Sequence, residues 1–400
     1  MHFFSMPRIK YELHTQIDEL DWHSIIISLL RGAAAIVVAT AHLRAVVYPS
    51  LRAVSDAPIW FKLLAFICGF AHQAVLVFFV ISGWLVGGSL LNRMREPHAI
   101  TSYAVDRLTR LWTVLVPTFL LTLLIAFAHG TINPRELDIS TTNPYSATVF
   151  AGNLVGLQGV ILPNFGENFA LWSLANETWY YLLFPLLVGV FFGRVNAMRF
   201  TCLLMFFCLC FLLPASIVGY FLIWLLGVVF SRIRIECANY IRWSWTVLVL
   251  MVSVYFRLKG ELDAFEVSTL GQDALCSILY LVLLSSLQFR ASSKSNFVFL
   301  LRKAGKFFAE FSFTLYVLHL PLIGLLRGAW MVQVGRQVLL PSSVAHTGIF
   351  FAMLTVLLVA AYVSYRLFES RTHLVRTLVK DSVMRHRGLR AGQTTVSTKG

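Results

Sequence analysis

An arginine and a histidine stand eleven residues apart within one hydrophobic run, Arg31 and His42 in LLRGAAAIVVATAHLRAVV. Ionisable side chains are costly in hydrocarbon, roughly 2.5 to 3.5 kcal/mol for Arg, Lys or Asp on insertion scales, so a membrane segment that carries them usually uses them. At about 100° and 1.5 Å per residue, eleven steps return to nearly the same helix face some 16 Å further along. That face presents a fixed cation at one depth and a titratable imidazole at another. Glu177, in LWSLANETWYYLLFP, falls at the depth of His42 on a later helix, so the two are expected to pair. A carboxylate that orients an imidazole and favours its protonated form suits a general base. A buried pair that only joins two helices is the alternative.

Arg107 and Arg110, in YAVDRLTRLWTVLVP, open another helix, with Arg31 slightly deeper. Three guanidinium groups suit a phosphorylated ligand, because each presents a planar fork of donors. Anchoring with snorkelling accounts for either of the pair taken alone. In FFVISGWLVGG, Ser82 and Gly83 leave room for a ligand or for a neighbouring helix backbone. FSFTLYVLHLPLI carries Ser312, Tyr316, His319 and Pro321, with His319 near mid-membrane; His319 and His72 are either participants or satisfied packing residues. The sequon at Asn176 lies inside a predicted span and is discounted.

Composition defines the elements that must position these groups. Of 400 residues, 58% are hydrophobic and only 13% charged, which excludes an ordinary soluble globule. The chain is expected to be an all-α polytopic integral membrane protein. Apolar windows predict about ten transmembrane helices, near Ser24 to Val47, Leu63 to Leu91, Leu111 to Ala128, Trp172 to Phe192, Phe200 to Leu213, Ile217 to Phe230, Trp243 to Phe256, Leu270 to Leu287, Phe307 to Leu326 and His346 to Phe368. The fifth and sixth are short. The net charge of +14 could suit nucleic acid, but the basic residues lie between apolar runs, so no nucleic-acid partner is expected. The six cysteines show neither a disulfide framework nor zinc spacing, and no metal is expected.

With both termini placed in the cytoplasm, the predicted outside segments hold only Arg44, Arg52, Lys62, Arg135, Arg257, Lys259, Arg327 and Arg336 of the 33 Lys and Arg. That bias supports both termini inside. Residues 1–23 read as a cytoplasmic segment without a cleavable signal peptide, 24–370 as the membrane domain and 371–400 as a basic, flexible cytoplasmic tail. The outside loop 129–170 contains an apolar, glycine-interrupted piece, Ala147 to Leu162, expected to be re-entrant or interfacial.

The ordered set LLRGAAAIVVATAH, FFVISGWLVGG, DRLTRLWTVLVP, LWSLANETWYYLLFP, FSFTLYVLHLP and YRLFES resembles acyltransferase family 3, membrane proteins that O-acylate surface polysaccharides, lipopolysaccharide, peptidoglycan and nodulation factors. The resemblance runs from Ser24 to Ser370. The family's Arg-x10-His pattern falls on Arg31 and His42, its Phe-rich Ser-Gly element on Phe78, Phe79, Ser82 and Gly83, and its basic pair on Arg107 and Arg110. Its Trp-Ser-Leu-x-x-Glu element falls on Trp172, Ser173, Leu174 and Glu177, and its late Tyr-x-x-His on Tyr316 and His319. The chain departs from the pattern at Leu76 and Val77, where many members carry an acidic residue, and at Trp84, a common phenylalanine position.

The resemblance implies a bacterial inner-membrane enzyme that takes acyl-CoA, most often acetyl-CoA, and O-acetylates a hydroxyl of an exopolysaccharide, lipopolysaccharide or lipid-linked carbohydrate. Catalysis would rest on His42 and Glu177. Arg31, Ser82, Gly83, Arg107 and Arg110 would hold the CoA, with Trp172, Ser173, Tyr316 and His319 in support. Direct transfer and an acyl-histidine intermediate both remain open. A transporter or flippase of a glycolipid or anionic solute would also line a path with His, Arg and Glu, although no inverted repeat is visible. A non-catalytic scaffold is the third reading, and would leave Arg31, His42 and Glu177 dispensable.

Overall fold

The computed structural model describes residues 6–15, 18–132, 138–193, 195–259, 265–292, 295–335 and 338–386. Its helices are α1 (Trp22–Val47), α2 (Ile59–Cys68), α3 (Ala71–Ser82), α4 (Gly88–Arg93), α5 (Ala99–Ala128), α6 (Ala147–Leu154), α7 (Leu171–Phe192) and α8 (Asn196–Leu212). They continue with α9 (Ala215–Phe230), α10 (Asn239–Lys259), α11 (Leu270–Ser286), α12 (Asn296–Glu310), α13 (Ser312–Val334), α14 (Val344–Leu367) and α15 (Thr372–His386). Among the described residues, eight helical runs are long and apolar enough to cross a membrane, so the chain is an integral, multi-pass membrane protein. α8 and α9, the fifth and sixth expected spans, have 17 and 16 residues and fall short of that length.

Between lipid tails, helices associate through close packing and interhelical hydrogen bonds rather than through the hydrophobic effect. α1 runs through the middle of the bundle, against α3, α12 and α13. Glycines allow the tightest approaches. A side chain at Gly83 would collide with the Trp224 carbonyl of α9, and one at Gly227 with that of Val80. Gly83 opens a π-helical turn, Gly83–Gly87, that joins α3 to α4.

Two expectations are corrected, and one element is added. The predicted span Phe307 to Leu326 is divided at Phe311, where α12 ends and α13 begins. α12 is amphipathic and carries Arg302, Lys303 and Lys306, so only part of the run can face apolar surroundings. The expected flexible tail is helical over Thr372–His386, because Arg376 and Lys380 of α15 reach the buried Asp106 of α5 at 3.3 and 2.8 Å. Arg93 reaches the same carboxylate at 3.2 Å. The segment before α1 holds a strand, β1 (Arg8–Tyr11), which pairs antiparallel with β2 (Ile233–Glu236) after α9. Residues 387–400, and Arg135 and Arg336, lie outside the described residues.

The apolar piece in loop 129–170 forms only the eight-residue α6, capped by Ser146 Oγ, followed by a folded loop. Asn153 Nδ2 donates to the carbonyls of Val149 and Pro163, and its Oδ1 accepts from Phe165 N. Trp112 of α5 and Trp179 of α7 donate indole hydrogens to Leu154 O and Gly156 O, which secures the loop to both helices. Gly156 adopts φ +82, where a Cβ would also meet Thr178.

Candidate active site

A cavity of about 120 Å³ lies between α1, α3, α5, α7 and α13. Arg31 enters it from α1, Ser82 from α3, Arg107 and Arg110 from α5, and Ser312 and Tyr316 from α13. α7 contributes Ser173, Glu177 and Tyr181, four residues apart and therefore on one face. Most of the expected site residues thus meet in one chamber.

Glu177 Oε1 accepts hydrogen bonds from Ser82 Oγ and Tyr181 Oη, each at 2.5 Å. Trp224 Nε1 donates to Ser82 Oγ at 3.1 Å, which ties α9 into the same network. A carboxylate receiving two hydroxyl donors is fixed in direction, so its orientation inside the cavity is preset.

The three guanidinium groups are held differently. Arg107 lies 6.0 Å from the ring centres of both Tyr103 and Tyr181, and Arg110 lies 5.8 Å from that of Phe313. Aromatic faces steady a cation without neutralising it. Among the described residues, the side chains of Arg31, Arg107 and Arg110 form no ion pair. The nearby carboxylate of Glu369 accepts instead from Thr314 Oγ1 at 2.6 Å.

His42 pairs with His319, not with Glu177. The distance from His42 Nδ1 to His319 Nε2 is 2.7 Å, and the rings lie within 14° of parallel. The expected His42–Glu177 contact fails because α7 begins lower than its apolar window suggests. Asn168 Nδ2, just before α7, donates to Val317 O at 2.9 Å, and Phe169 packs edge-on against His42 at 5.0 Å. The first turn of α7 is therefore already level with His42, and Glu177 lies about 9 Å further along. Val317 O is free to accept because Pro321, four residues later in α13, has no N–H.

Tyr316 connects the chamber to the histidines. Its hydroxyl lies 2.6 Å from Ser173 Oγ, and its carbonyl accepts from His319 Nδ1 at 2.7 Å. Two expected residues fall elsewhere. Gly83 serves the α9 contact, and Trp172 packs on Phe265 and Phe79 at 4.5 and 6.2 Å. His72 pairs with Asp273 at 2.9 Å, whose other oxygen accepts from Tyr220 at 2.5 Å, away from the cavity lining. Sequence reasoning missed Tyr181, whose signal was its four-residue spacing from Glu177, and left Ser312 without a role.

The fold and the site define a polytopic membrane protein that holds three unpaired arginines in one cavity beside a histidine pair. The acyltransferase domain family matches residues 24–366, nearly the whole chain, and the chain belongs to that family, acyltransferase 3. An uncharacterized protein of Haemophilus influenzae is 28% identical over 142 residues, which cover 33% of this chain and 57% of that protein. The match thus spans little more than half the length of that relative. No solved structure matches the chain.

Proposed function

We propose that the protein is a membrane O-acyltransferase that moves an acyl group, most simply acetyl, from acyl-CoA to a hydroxyl of a cell-surface or lipid-linked carbohydrate. The observation that carries this reading is the single chamber in which Arg31, Arg107 and Arg110 stand unpaired, joined through Tyr316 to His42 and His319. Guanidinium forks suit the CoA phosphates. The roughly 16 Å that eleven helical residues span from Arg31 to His42 resembles the reach of a pantetheine arm. The excess of Lys and Arg at the Arg31 end supports a topology with both termini in the cytoplasm, in which donor enters from inside and acceptor meets His42 near the outer leaflet.

In the reaction, His42 takes the proton of the acceptor hydroxyl as its oxygen attacks the thioester carbonyl. The C–S bond breaks, the ester forms and the departing sulfur takes the proton back from His42, so that CoA leaves as the thiol. Glu177 acts on the donor side, where its fixed carboxylate and Ser82 stand beside the arginines.

The test is release of free CoA thiol from acetyl-CoA by detergent-purified protein, with and without crude cell-surface glycan. Release that rises with glycan and is lost in His42→Ala and Arg31→Ala supports the reading. Release indifferent to both substitutions refutes it, and no release at all favours a transporter.

A further inference from the structure

Two hydrogen bonds decide which nitrogen of His42 carries a proton. A carbonyl only accepts, so the contact between Tyr316 O and His319 Nδ1 requires the proton on that nitrogen. A neutral ring protonated at Nδ1 has a bare Nε2, and this is the atom 2.7 Å from His42 Nδ1. His42 must then donate from Nδ1. Its own Nε2 is left with a lone pair and has no hydrogen-bond partner among the described residues. The opposite arrangement needs an imidazolium at His319, a side chain with 0% exposure and no carboxylate paired to it among the described residues. An unpaired charge there would be too costly to hold.

We infer that His319 is a positioning residue that locks His42 in the Nδ1–H tautomer, making His42 Nε2 the atom that removes the acceptor's proton. The inference rests on the acyl-transfer reading above. A neutral imidazole here does what a carboxylate does in a Ser-His-Asp triad: it selects tautomer and ring direction for the base. Burial agrees with this division of roles, since His42 is half-buried and reachable whereas His319 is sealed. Phe169 against the His42 ring, and Asn168 on the Val317 carbonyl beside Tyr316, hold both partners in register. A neutral histidine side chain in water favours the Nε2–H form, so a His42 without His319 would mostly present the wrong nitrogen.

The direct test is the ¹⁵N NMR spectrum of histidine-labelled, detergent-solubilised full-length protein, with His42 assigned by its disappearance in His42→Gln. The wild type is expected to show His42 protonated at Nδ1 and bare at Nε2. His319→Leu is expected to shift it toward the Nε2–H form, and His319→Gln, whose amide oxygen can accept near the former Nε2, to restore it. General base catalysis is worth roughly 10²- to 10⁴-fold. His319→Leu should therefore lower kcat for glycan-dependent thiol release about 100-fold at an unchanged KM for acetyl-CoA, with His319→Gln recovering most of it. A wild-type His42 protonated at Nε2, or a tautomer indifferent to His319→Leu, overturns the inference while leaving acyl transfer intact. Full glycan-dependent release in His42→Ala overturns His42 as the base, and with it the inference, while the absence of any glycan-dependent thiol release by the wild type overturns the acyl-transfer reading itself, whatever the tautomer.

Discussion

Replacing Arg107 with leucine tests whether the cavity recognises CoA through its phosphates. The guanidinium rests between the rings of Tyr103 and Tyr181 at 6.0 Å from each, and its buried Nε has no partner. Two cation–π contacts of about 0.5 to 1 kcal/mol each orient the group and leave its hydrogen-bond donors unspent. A phosphate then gains one or more charge-assisted hydrogen bonds, each worth about 1.5 to 3 kcal/mol. Loss of one such bond raises the Kd for CoA about 10- to 150-fold. Arg107→Lys should fall between, because an ammonium keeps the charge and loses the planar fork. Calorimetric titration of detergent-purified protein with CoA measures this, with S-acetylpantetheine, which carries no phosphate, as the control. Binding of CoA unchanged within about twofold, or equal weakening of acetylpantetheine, would show that Arg107 does not read phosphate.

Other consequences follow from the same contacts. Asp106→Asn leaves Arg93, Arg376 and Lys380 without their shared carboxylate; the three partners are about one-third exposed, so the expected loss is only about 1 to 2 kcal/mol. It should appear as faster protease cleavage within α15 before any global unfolding. Gly83→Ala forces a methyl group against the Trp224 carbonyl and should cost about 1 to 3 kcal/mol, read as a lower thermal unfolding midpoint in detergent. Asn168→Ala removes the donor to Val317 O and leaves a buried carbonyl unsatisfied, at about 1 to 3 kcal/mol. It should reduce thiol release without changing CoA affinity.

The parts of the site that periodicity controls were legible in the sequence. Arg31, Arg107 and Arg110 were expected at one end of the bundle, with Ser82 and Gly83 facing a ligand or a helix, and Arg31, Arg107, Arg110 and Ser82 meet there; Glu177, expected level with His42, joins them instead. The partner of His42 was not legible. Depth was counted from the end of an apolar window, whereas the level at which α7 starts is set by one hydrogen bond from Asn168 to the carbonyl that Pro321 leaves free. Gly83 shows the same limit, since a missing side chain looks alike whether a ligand or the backbone of α9 fills the space. α15 was unreadable for another reason: its basic, polar composition resembles a solvated tail until the distant Asp106 is brought beneath it. The β1–β2 ribbon likewise depends on pairing between segments far apart in sequence.

The central claim is that an acyl group passes from a donor held at the Arg31 end to an acceptor at the His42 end. Its most direct test uses proteoliposomes with uniform protein orientation, radiolabelled acetyl-CoA confined to the Arg31 side and glycan confined to the His42 side. The account predicts label in the glycan as a base-labile ester, abolished by His42→Ala. Label that enters only when donor and acceptor share one compartment, or that persists without His42, would contradict it.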